Sequence, residues 1–118
     1  MIFIVALLSI PMLVAGCGGG QPNKPTIALK SLTDGSQFEL GQVVPISYEA
    51  ADVKGIVQVE LTINGEPIHV ETVSPPVNVF SGSFSWRPQT GGSHLIQVLS
   101  FNVDGASSDL AQVAVTVV

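Results

Sequence analysis

Apolar and polar residues alternate with a period of two along most of the chain after residue 25. Val44, Ile46, Tyr48 and Ala50 alternate with Pro45, Ser47 and Glu49. Val57, Val59, Leu61 and Ile63 alternate with Gln58, Glu60 and Thr62, and Val113, Val115 and Val117 with Gln112, Ala114 and Thr116. A two-residue period puts one set of side chains on a single face of a strand. No helical period interrupts it. Gly, Pro, Asn and Asp clusters punctuate the runs at 33–36, 41–42, 52–55, 64–65, 74–76, 87–92 and 104–108. Strands are predicted over 26–32, 44–50, 57–63, 66–72, 79–86, 94–103 and 111–118. Many short strands between regular turns predict an all-β antiparallel sandwich of about seven strands. Phe38, Leu40, Phe84 and Trp86 are expected to point inwards. Asn64-Gly65 predicts a two-residue hairpin turn, because a type I′ turn needs positive φ twice. Pro45 and Pro67 lack an N–H, so each marks an edge or a bulge.

The start of the chain follows a different pattern. Residues 2–15, IFIVALLSIPMLVA, carry no charge and one polar residue, Ser9. A bilayer-spanning helix needs roughly 20 residues, so this run fits the apolar core of a secretory signal peptide instead. Small residues follow it, then the chain's single cysteine, Cys17, then three glycines. Val14-Ala15-Gly16-Cys17 resembles the lipobox of bacterial lipoproteins. The resemblance implies that the peptide is cut before Cys17, that the Cys17 sulfur takes a diacylglycerol, and that two or three acyl chains moor the protein to a membrane. A lone chain would hold only marginally. The chain thus divides into a signal peptide (1–16), a lipidated cysteine with a flexible linker (17–25), and a β-sandwich domain (26–118). The expected location is the cell membrane or outer surface, outside the cytoplasm.

The domain itself is similar to the bacterial immunoglobulin-like domains of cell-surface proteins. The likeness rests on PTIALKSLTDGSQFELGQVVPISYEAAD, the strand leading into NGEPI, FSWRPQTGGSHLIQV, and SFNVDGASS before the valine-rich end. It implies a scaffold used for spacing, adhesion or recognition, without catalysis and without the inter-sheet disulfide of antibody domains.

Charge and chemistry narrow the reading further. Nine acidic residues against four basic ones give a net charge of −5, a balance that repels nucleic-acid phosphates. A single cysteine cannot close an intramolecular disulfide. The two histidines, His69 and His94, lack converging ligands for zinc. No G-x-S-x-G elbow or phosphate loop is present, so neither enzyme activity nor a cofactor is expected. Asp52 and Asp104 should lie at one end of the sandwich. They either contribute to a calcium site or hydrogen-bond their own turns. In the run 95–103 both parities are apolar. With Ile96 and Val98 in the core, Leu95, Leu99, Phe101 and Val103 face outwards, either as a partner-binding face or covered by Gln58, Glu60 and Gln112. The function expected is a membrane-anchored binding, adhesion or spacer module for a protein or glycan partner. The alternative is a lipid-anchored accessory subunit docking onto an envelope enzyme or transporter.

Overall fold

The structure is a computed structural model that describes residues 23–118. The signal-peptide stretch and Cys17 lie outside the described residues. Six strands follow one another: β1 (Thr26–Leu29), β2 (Gln37–Phe38), β3 (Val44–Ile63), β4 (Glu66–Trp86), β5 (Gly92–Asn102) and β6 (Ala111–Val117).

Two of these strands serve both layers. The first part of β3 pairs with β1 on one side and with 79–86 of β4 on the other. The later part of β3 pairs with 66–72 of β4 and with β5, which continues to β6 and β2. The register breaks between Ala51 and Ile56, where β3 leaves one sheet for the other. The predicted loops at 52–55 and 74–76 are therefore bends inside two long strands. These two mergers turn seven predicted strands into five, and the two-residue β2, not predicted as a strand, makes six.

The two inner faces meet in one apolar cluster. Val44, Ile46, Tyr48 and Ala50 come from one layer, and Val59, Leu61, Ile96, Val98, Val113 and Val115 from the other; all are buried. The period-two reading is met at each of these positions. It fails at Val57, which is half-buried because a bulge between Ile56 and Gln58 gives the inward place to Ile56. Leu40, expected inside, is 55% exposed, since it lies within the turn that the Gln42 N–H closes on the Glu39 carbonyl. Trp86 is buried as expected, whereas Phe84 is only half-buried at the rim of the cluster.

The turn chemistry follows the residues. Asn64 and Gly65 take φ of 54° and 82°, as a type I′ hairpin requires. Pro45 lies beyond the end of β1, so its missing N–H leaves no gap in that ladder. Pro67 sits on the part of β4 that has only β3 beside it, next to a register shift. Gly55 holds φ of 117°, and a Cβ there would lie 2.8 Å from Pro76 Cβ. The two bends thus touch at a place only glycine can fill.

Candidate functional site

The most organised polar site lies at the bend of β3. Asp52 is buried, and its carboxylate accepts four hydrogen bonds. Two come from the backbone N–H groups of Lys54 (2.8 Å) and Gly55 (3.1 Å). Two come from the side-chain amides of Asn23 (2.8 Å) and Asn102 (3.3 Å). Burial pushes the Asp52 carboxyl upwards, but the four donors outweigh it and hold the group below the ordinary carboxylate range. Asn102 Oδ1 in turn accepts the N–H groups of Asp104 and Ala106, which fixes the turn after β5. Asn78 ties the neighbouring bend in, donating to the carbonyls of Asp52 and Val53.

Asp104 comes to the same end, as its place in the loop after β5 predicts. It lies 2.8 Å from Lys54 Nζ, and that hydrogen bond and its charge raise the lysine's pKa. The Asp52 carboxylate thus bonds its own turn through Lys54 and Gly55, whereas the Asp104 carboxylate bonds Lys54 in the neighbouring bend and not its own turn. Both Asp52 oxygens already face donors, and the cation beside Asp104 is a lysine. Among the described residues no three His, Cys, Asp or Glu side chains converge as a metal site would need. The three asparagines were not singled out from sequence; only Asn102, two residues before Asp104-Gly105, carried a local turn signal.

The last residues of the predicted linker belong to this end. Asn23 bonds to Asp52, Lys24 pairs with Asp109 at 2.8 Å, and Pro25 is buried. Among the described residues, Asn23 to Pro25, which the sequence assigns to the linker, thus lie against the sandwich. A shallow recess of about 590 Å³ lies beside this contact, walled by Asn23, Thr26, Val53 and Val79.

The histidines sit apart from each other and from the aspartates. His94 is buried and its ring meets Trp86 in a T-shaped contact, the centroids 5.2 Å apart. Asn64 Oδ1 accepts the Leu95 N–H, so the Asn64 amide group points at His94 Nδ1 (2.9 Å). The ring then carries its proton on Nε2 and donates it to the Thr90 carbonyl at 2.9 Å. His94 thus pins the start of β5 to the hairpin turn. His69 stacks on Phe84 at 5.0 Å and lies 3.6 Å from Glu71, which accepts the Tyr48 hydroxyl proton at 2.9 Å. Burial first, then the Glu71 hydrogen bond and charge, drive the Tyr48 phenol well above its usual range. Among the described residues neither histidine bonds to a serine or threonine hydroxyl.

The apolar residues of β5 fall as the parity argument places them. Ile96 and Val98 are fully buried, whereas Leu95 is 36% and Val103 46% exposed. Leu99 and Phe101 are half-buried on the same outer face, opposite Glu60 and Gln58. Gln97, hydrogen-bonded to Gln112 at 2.9 Å, separates Leu95 from the other three. The apolar row is therefore Leu99, Phe101 and Val103, with polar neighbours on β3.

The sequence profile of the bacterial Ig domain matches residues 25–98. No curated protein matches the sequence. Among solved structures, the fibronectin(III)-like modules of CbhA from Clostridium thermocellum align with a TM-score of 0.67 at 25% identity. That alignment covers 81% of this chain and 47% of the other, so the chain spans about half of that structure's length. The CARDB domain of a Pyrococcus furiosus protein aligns with a TM-score of 0.61 at 20% identity, over 80% of this chain and 94% of that one. A chitin binding domain from Burkholderia pseudomallei aligns with a TM-score of 0.55 at 13% identity, over 72% of this chain and 57% of the other. The last two likenesses concern the fold alone. Domains of the Ig and fibronectin-III kinds are typically non-catalytic modules. With two layers, one shared core and a profile match over most of its length, the chain belongs to the bacterial Ig domain family.

Proposed function

We propose that the protein is a lipid-anchored, extracytoplasmic module that binds or spaces by contact and catalyses no reaction. The observation that supports the non-catalytic part is the Asp52 end, where, among the described residues, the one buried carboxylate is taken up by four donors of the fold itself. Family membership supports the same reading. The anchor rests on Val14-Ala15-Gly16-Cys17 after an uncharged apolar run. In this reading Cys17 carries the lipid, and the row Leu99, Phe101 and Val103, with Leu95 beyond Gln97, meets a protein or glycan partner.

The test is membrane fractionation of cells expressing the full chain and Cys17→Ser, after feeding an alkyne fatty acid. The parent should take up the label and sediment with membranes. Cys17→Ser should lose the label and leave the membrane fraction. Equal retention of both chains, with no label on either, would remove the anchor from the account.

A further inference from the structure

The strand β4 has an open side. Among the described residues it is hydrogen-bonded only to β3, along both sheets. An unpaired strand edge is a template for another strand, and proteins usually guard it with charge, proline or brevity. The other edges here follow that rule. β1 has four residues and β2 has two. The first part of β4 carries Glu66, Pro67 and Glu71. From Val77 to Trp86 the strand's own residues carry no guard: VNVFSGSFSW contains no charged residue and no proline, although the Glu71 carboxylate of the facing layer lies beside Gly82.

The centre of that stretch, Phe80-Ser81-Gly82-Ser83-Phe84, reads the same in both directions. Two antiparallel copies related by a two-fold axis at Gly82 would set Phe80 opposite Phe84 of the second copy, and Ser81 opposite Ser83. Aromatic pairs and hydroxyl pairs are favourable cross-strand neighbours. Phe80 and Phe84 are half-buried against the core, so each ring still has surface for the second copy to cover. Ser81 and Ser83 are exposed on the other face, and Gly82 puts no side chain at the axis.

We propose that the Val77–Trp86 edge is a self-pairing surface, and that its occupant is the same edge of a second copy in the register centred on Gly82. Pairing in this way joins two three-stranded layers into one six-stranded sheet. The contact is isologous, so it closes as a dimer and leaves only the short β1 edges outside. It does not depend on the membrane anchor.

The experiment is sedimentation velocity of the full chain in a density-matched detergent, with two double variants. In Ser81→Lys/Ser83→Lys the paired positions become lysine against lysine. In Ser81→Lys/Ser83→Glu they become lysine against glutamate. Ser81 lies opposite Glu49 within the chain, so a lysine there is compatible with the fold; thermal unfolding of each variant checks this. The parent should form a dimer as concentration rises. The lysine-lysine variant should weaken it at least about tenfold, and the lysine-glutamate variant should retain it. A parent that stays monomeric up to about 1 mM would overturn the proposal. So would a dimer that survives in the lysine-lysine variant, or one lost equally in both variants.

Discussion

At the Asp52 end of the sandwich, four donors converge on one buried carboxylate. Along the outer face of β5, Leu99 and Phe101 lie beside Glu60 and Gln58 with no large apolar partner across the ladder. Both regions use β3 and β5, yet they leave opposite things unsatisfied. A carboxylate taken out of water needs its hydrogen bonds made, and once they are made it has little capacity left for a ligand. An apolar side chain on an outer face makes no such demand, so its surface remains available for contact. The residues that look most chemical in the sequence therefore brace the fold, and the apolar ones on the outer face of β5 keep part of their surface open.

Three perturbations test how far that contrast goes. The largest effect belongs to the shared core, which sets the scale for both regions. Trp86→Ala should lower unfolding stability by about 3–5 kcal/mol in denaturant titration, because it empties the place where the indole packs on His94. A loss below about 1 kcal/mol would mean that the two layers are not held together there. Gly55→Ala comes next, at about 2 kcal/mol, from an unfavourable φ and a Cβ pressed on Pro76. A neutral result would mean that the two bends do not touch. The third concerns pH. The Asp52 carboxyl is held below its unfolded value, so its contribution is full above about pH 4 and is lost as pH falls through the folded pKa. Stability measured from pH 6 down to pH 2 should show this loss in the parent, and Asp52→Asn should show a shallower decline. Parallel curves would assign the acid sensitivity to other carboxylates.

How much of this was legible in the sequence depended on range. Alternation settled which of Val44, Ile46, Tyr48, Leu61 and Val115 face inwards, because strand parity is a local property. Asn64-Gly65 settled its own turn for the same reason. Val57 was misplaced because a bulge shifts parity by one residue, and the one local sign of it, Gly55, reads equally well as part of a loop. The continuity of β3 and β4 was hidden too: Asp52–Gly55 and Ser74–Pro76 carry turn residues, yet in the fold they bend strands without ending them. The Asp52 site was half legible. The loop positions brought Asp52 and Asp104 to one end, but the asparagine donors come from positions 29, 26 and 50 residues away. Contacts that span such separations depend on the assembled sandwich, and no local pattern encodes them.

The contrast between the braced end and the open face is tested most directly by urea unfolding of Asp52→Ala and Phe101→Ser side by side. Asp52→Ala leaves buried donors unpaired and should cost about 2–3 kcal/mol. Phe101→Ser should cost about 1 kcal/mol or less, since its ring lies on the outer face and outside the shared core. If Phe101→Ser is the more damaging of the two, the outer face of β5 holds the fold together and the Asp52 end is free for other work, the reverse of what is argued here.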